Sequence, residues 1–229
     1  MKRVKFVLYI IGISMIISCS MSTIKNENKV VKCDTTSLKI DSVIVEDTII
    51  FSKVSIGVNK THTWKYEWNK FISDEITLRK KTFIDNDSLY ENDILRLCPT
   101  YYILDENQKI AWWTLLFASI AYYESAFNPV CRYQEPASLN YVYSEGLLQL
   151  SYIDKAVYKD CLIDESKHNI MNPEVNLRTG VIILDKQLRN RKMIFTKKSF
   201  YWSVLTKKQN EIIEFFNKNI AELYLCRCR

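Results

Sequence analysis

From Asp105 to Pro129 the chain has little choice of fold. Ile110, Trp113, Phe117 and Ile120 recur at three- and four-residue steps, the spacing that lines up side chains on one face of an α-helix, and Glu124 continues the series. Asp105 stands where an N-cap is expected. Asn128, restricted by Pro129, stops the helix just past the glutamate. A carboxylate that ends an apolar stripe loses water when the stripe packs; this disfavours its charged form and keeps its proton towards neutral pH. A second helix opens at Asn172 as N-cap with Pro173 in the first helical position, on the stripe Leu177, Val181, Leu184 and Leu188. Gly180 on that helix lets a neighbouring element come close. Trp64, Trp68 and Phe71 mark an earlier helix, followed by a polar loop to Cys98-Pro99, and a last helix is expected from Gln209 to Leu225 on Ile212, Phe216 and Ile220. With 4 glycines in 229 residues and few strand patterns after residue 60, the expected fold class is all-α.

The N-terminus has the three-part shape of an export signal. Lys2, Arg3 and Lys5 precede an apolar run, Phe6 to Ile17, too short to span a bilayer as a stable helix. Its end, Ile16-Ile17-Ser18-Cys19, resembles the lipobox of bacterial lipoproteins, which implies a signal peptide over 1–18 and acylation of Cys19. The alternative is an ordinary secretory signal that contains a cysteine. Residues 19–60 then form a lipidated tether, flexible at first. Residues 38–57 alternate weakly (Leu38, Ile40, Val43, Val45, Ile49, Phe51), which fits a short β-hairpin or an unstructured lead. The catalytic domain is expected over 61–229. The expected location is the cell envelope, facing the periplasm from the outer membrane, with the lipid as the only membrane anchor.

Loss of the signal lowers Lys+Arg from 32 to 29 against 26 acids, a mild +3 that suits an anionic wall polymer and makes no case for nucleic acid. Lys197-Lys198 and Lys207-Lys208 read as solvated helix ends. Seven cysteines less Cys19 leave six, an even number that permits disulfides in an oxidising compartment. The preferred bridge ties Cys226 or Cys228 to the loop at Cys161; free, buried thiols are the alternative. No zinc site is expected, because Cys-x-x-Cys is missing and His62 and His168 stand apart from any ligand cluster.

Three segments carry a family resemblance. Ile120–Val130 reads Ile-Ala-Tyr-Tyr-Glu-Ser-Ala-Phe-Asn-Pro-Val, Ser144–Leu150 reads Ser-Glu-Gly-Leu-Leu-Gln-Leu, and Asn172-Pro173-Glu174-Val175-Asn176-Leu177 is followed by Gly180. In order and spacing they resemble the soluble-lytic-transglycosylase family, from the Trp112 region to Leu205. The resemblance implies a lysozyme-like helical domain acting on peptidoglycan glycan strands, with no cofactor and no metal. Glu124 would protonate the oxygen leaving C1 of N-acetylmuramic acid, then take the proton from the C6 hydroxyl as it closes onto C1, leaving a 1,6-anhydro end.

Ser125, Ser144, Gly146, Gln149 and Tyr201 would bind substrate. Ser144 would orient Glu124 or the 2-acetamido group, and Gly146 would let the glycan approach backbone. Local alternatives are an N-cap for Ser144, a surface amide for Gln149 and a core aromatic for Tyr201. Leu148 replaces the family's usual Met. The family's Ala-Tyr-Asn motif is missing after Leu188, where Phe200-Tyr201-Trp202 stands instead. The carboxylates Glu145, expected to be exposed, and Asp154 do not match family positions. Two other readings stay open: a hydrolytic muramidase on the same scaffold, and a non-catalytic wall-binding lipoprotein. Protein partners are left unassigned.

Overall fold

The computed structural model describes residues 62–136, 142–197 and 200–220, and Cys226. Cys19, the tether with its hairpin, and Cys33 and Cys228 lie outside them. The elements are α1 (Glu67–Leu78), α2 (Glu91–Leu97), α3 (Glu106–Ser125), β1 (Arg132–Gln134), β2 (Tyr143–Glu145), α4 (Asp154–Val157), α5 (Pro173–Arg191), α6 (Val204–Lys207) and α7 (Gln209–Ile220). The domain is helical apart from one antiparallel strand pair.

The start of α3 is set locally. Asp105 accepts from the Gln108 N–H and the Gln108 side chain accepts from the Asp105 N–H, a capping box that satisfies two otherwise unpaired donors. No charged residue falls between Ala111 and Ala121, and all eleven of these residues are buried. The helix is therefore core on every side, beyond the single stripe expected. It packs against α1, α6 and α7, while α5 packs on α1. Asn172 caps α5 by accepting from the N–H groups of Glu174 and Val175, with Pro173 behind it, and Leu177, Val181, Leu184 and Leu188 are all buried.

Three expectations are corrected. The stretch from Phe71 to Cys98 is helical, not a loop: α1, a π-turn at Lys81–Asp85, a 3₁₀ turn at Asp87–Tyr90 and α2 follow one another. Charged residues hide a thin apolar series there, but Ile72, Ile76, Phe83, Ile94 and Leu97 are all fully buried. The second correction is the strand pair itself, whose three-residue strands are too short for alternation to register. The third is the disulfide. Cys226 pairs with Cys98, with Cα atoms 5.1 Å apart, because α7 packs on α2 and returns the chain end to that helix; Cys161 stays a buried free thiol.

Candidate active site

Glu124 lies in the last turn of α3, half-buried. The chain then turns sharply through two successive left-handed residues, Ala126 (φ 51°) and Phe127 (φ 63°). Such a conformation costs a non-glycine residue roughly 1–2 kcal/mol. Burial of Phe127 against Trp64 and Tyr122 holds the turn in place. Ser125 is buried, and its hydroxyl is directed at the carbonyls of Ala121 (3.0 Å) and Leu147 (2.9 Å). Its geometry is that of a clamp between the helix end and the Leu147 loop, in place of the expected substrate ligand.

Burial pushes the Glu124 carboxyl from its ordinary 4.5 up to about 7. The Lys208 cation opposes that rise and the Glu135 charge adds to it. Among the described residues nothing donates a hydrogen bond to this carboxylate. Lys208 is half-buried over the Tyr123 ring, so the basic pair at Lys207-Lys208 is more than a solvated helix end.

The strand pair follows the turn, and its Cys131 and Glu135 lie within electrostatic range of Glu124. Arg132 pairs with Glu145, Tyr133 with Ser144 and Gln134 with Tyr143, and the ladder extends at both ends through Gly146 N–H to Cys131 C=O and Glu135 N–H to Val142 C=O. Alternation puts Cys131, Tyr133, Glu135 and Ser144 on one face. That face is half-buried, whereas Arg132, Gln134 and Tyr143 are exposed on the other. Burial and then the Glu124 charge push the Cys131 thiol up, while Glu135 acts on Glu124 in turn, so both ends of the inner face reach Glu124. Ser144 donates to Glu135 Oε1 at 2.6 Å. Of the two roles expected for Ser144, orienting Glu124 or the 2-acetamido group, the first has no bond here: its partner is Glu135, a residue that the sequence reading missed. On the outer face the Arg132 guanidinium stacks on Tyr143 and pairs with Glu145 at 3.1 Å. Glu145 is buried by that pairing, contrary to its expected exposure.

The loop between β2 and α4 is fixed from α5. Asn176, fully buried, accepts from the Leu148 N–H and donates to the carbonyls of Glu145 and Ile170. Gly146 has φ 80°, and the space where a Cβ would stand is taken by the Asn176 amide. The fold itself requires glycine there. Gln149 donates to the carbonyls of Cys131 and Gly146, so its amide N–H₂ ties the loop to the strand pair. Leu148 fills the notch left by Gly180, and the Trp202 indole donates to the Leu148 carbonyl. Asn176 was visible in the sequence as part of the third motif, though not as this hub.

Tyr201 packs edge-on against Tyr158 and Trp202, and its hydroxyl donates to Asp154 Oδ2, which also accepts from the Ser151 N–H. Burial pushes the Asp154 carboxyl up and these donors hold it down. The Tyr201 hydroxyl is therefore engaged with a half-buried carboxylate, as in the core-aromatic alternative. Among the described residues no three His, Cys, Asp or Glu side chains group closely enough to hold a metal ion.

The fold has solved counterparts. It resembles that of the Bdellovibrio protein DslA. The wild-type DslA structure aligns with TM-score 0.55 and 24% identity over 70% of this chain and 91% of that one. A variant structure of the same protein gives TM-score 0.56 over 77% and 95%. Two DslA structures carry single glutamate-to-glutamine substitutions, at positions eleven residues apart in that protein. No protein-family model matches this sequence, and no curated protein does.

Proposed function

We propose that this chain cleaves the β-1,4 bond between N-acetylmuramic acid and N-acetylglucosamine in peptidoglycan, with Glu124 as the acid. The observation that carries the reading is a carboxyl at a helix end, without hydrogen-bond donors among the described residues and pushed up to about 7 by burial. Such a group still holds its proton at the pH where a glycosidic oxygen must receive one. The motif resemblance and the fold shared with DslA support it. So does a spacing: Glu124 and Glu135 are eleven residues apart, as are the two substituted glutamates of DslA.

The resemblance favours lytic transglycosylation. Glu124 gives its proton to the oxygen leaving C1, the 2-acetamido group stabilises the cationic centre, and Glu124 then takes the C6 hydroxyl proton as O6 bonds to C1. An intramolecular nucleophile of this kind reaches an effective molarity of about 10⁵–10⁸ M, which lets it outrun water. One observation favours the hydrolytic alternative, namely a second carboxylate, Glu135, whose charge acts on Glu124. Export and anchoring through an acylated Cys19 would bring the domain to the wall from the membrane.

Digestion of purified peptidoglycan, with mass analysis of the fragments before and after borohydride, tests the reading. Release of disaccharide-containing fragments is expected, and intact sacculi after prolonged incubation would refute it.

A further inference from the structure

Transfer of the Glu124 proton leaves a half-buried carboxylate that no donor among the described residues meets. A charge so placed costs free energy unless a countercharge is held close to it. The junction of α6 and α7 supplies one. Lys208 closes α6 with its N–H on the Val204 carbonyl at 3.0 Å, and its own carbonyl accepts from the Ile212 N–H of α7 at 3.0 Å. Its half-buried side chain carries the ammonium to 5.4 Å from the centre of the Tyr123 ring, within cation–π range, and Tyr123 is the chain neighbour of Glu124. That ring is fixed in turn. The Tyr123 hydroxyl donates to the Glu211 carbonyl at 3.0 Å, and Tyr122 and Tyr123 both pack on Phe215 of α7. Lys70, Lys80, Lys109 and Lys167 each pair with a carboxylate, whereas among the described residues none pairs with Lys208.

The other groups around the helix end offer no comparable cation. The strand pair brings the Cys131 thiol and the like charge of Glu135. Tyr122 and Tyr123 on α3 are phenols that burial pushes up, and Glu211 and Glu214 of α7 act on Tyr123. Trp64, ahead of α1, meets the turn at Phe127 as an apolar ring. Lys207 is exposed to water, where salt screens its charge. We infer that Lys208, seated on Tyr123 by α7, is a positioning residue that holds a fixed cation against the charge left on Glu124 when its proton leaves. The inference rests on the proposed cleavage by Glu124 and specifies how the spent acid is stabilised. In the step, the Glu124 proton moves to O4, the electron pair of the breaking C1–O4 bond stays with O4, and positive charge develops at C1. The negative charge stays on Glu124. Lys208 remains protonated throughout and forms no bond to the sugar, whichever nucleophile then closes onto C1. Its downward pull on the Glu124 carboxyl in the free protein is the same interaction before the reaction.

The test measures kcat and KM against pH on purified peptidoglycan and follows the Glu124 carboxyl carbon by ¹³C NMR. It compares wild type, Lys208→Met, Lys208→Arg, Tyr123→Leu, Lys218→Ala and Glu124→Gln, with circular dichroism to establish folding. Lys208→Met should raise the Glu124 midpoint, and the alkaline limb of kcat/KM with it, by about one pH unit. It should lower kcat on the acid side of that limb by about threefold to tenfold, because a weaker acid gives up its proton more slowly, with KM unchanged. Lys208→Arg keeps the charge and should restore both. Tyr123→Leu removes the ring under the ammonium and should move the limb the same way by less. Lys218, exposed in the last turn of α7, reports on net charge alone, so Lys218→Ala should keep the wild-type rate and limb. A Lys208→Met variant with wild-type limb and rate, or one that raises KM while the Glu124 midpoint stays in place, overturns the role of Lys208 and leaves that of Glu124 standing. So does a Lys218→Ala variant that moves the limb as far as Lys208→Met. A Glu124→Gln variant as active as wild type overturns the parent reading and this one with it.

Discussion

Glu124 and Asp154 are both carboxylates that burial pushes up in the same domain, and their neighbours differ. Asp154 is met by the Tyr201 hydroxyl and the Ser151 N–H, which hold down part of the rise that burial causes. Among the described residues Glu124 meets no such donor; the Lys208 cation opposes the rise and the Glu135 charge adds to it. Burial with donors makes a structural carboxylate, whereas burial without them makes one that keeps a proton near neutrality. The difference lies in neighbours, not in depth.

The largest effect that could break this contrast comes from Glu124→Gln. Turnover on peptidoglycan should fall by about 10²–10⁴. Stability should move the other way. Between about 4.5 and about 7 the folded protein holds a proton that the unfolded chain has released, so wild-type stability falls as pH rises through that window. Glutamine abolishes the slope, and at the upper end the variant should exceed wild type by about 3 kcal/mol. Denaturant melts at several pH values check the sign. A variant that loses stability at neutral pH would mean that Glu124 is partnered after all.

Asp154→Ala should do the reverse. It strands the Tyr201 hydroxyl and the Ser151 N–H, costing about 2–4 kcal/mol of stability, while the folded fraction keeps its turnover. Tyr201→Phe is the milder probe on the same pair. It removes one hydrogen bond to a half-buried carboxylate and should cost about 1–3 kcal/mol with turnover nearly intact. Chemical denaturation set beside cleavage rates separates the two. A stable Tyr201→Phe variant with turnover reduced about a hundredfold would return Tyr201 to the substrate.

The helical half of this contrast was legible because its determinants are local. The Asp105 capping box, the Asn172 cap with Pro173 and the stop after Glu124 each act within a few residues, and the sequence displays them directly. The left-handed exit at Ala126 and Phe127 was not legible, since neither residue advertises a positive φ. Partners brought together by tertiary packing were hidden as well. Tyr201 reaches Asp154 across 47 residues, and Cys226 reaches Cys98 across 128. Glu135 escaped notice for another reason: its bond to Ser144 spans only nine residues, but it depends on a hairpin whose strands are three residues long. Without a strand assignment, no register could place the two side chains on one face.

The central claim is that Glu124 carries a proton near neutral pH because it is desolvated and lacks donors. Its carboxyl carbon can be followed directly by ¹³C NMR in protein labelled at glutamate side chains, with Glu124→Gln supplying the assignment. The account predicts a titration midpoint near 7 in the free enzyme. A midpoint at the ordinary glutamate value of 4.5 would contradict it.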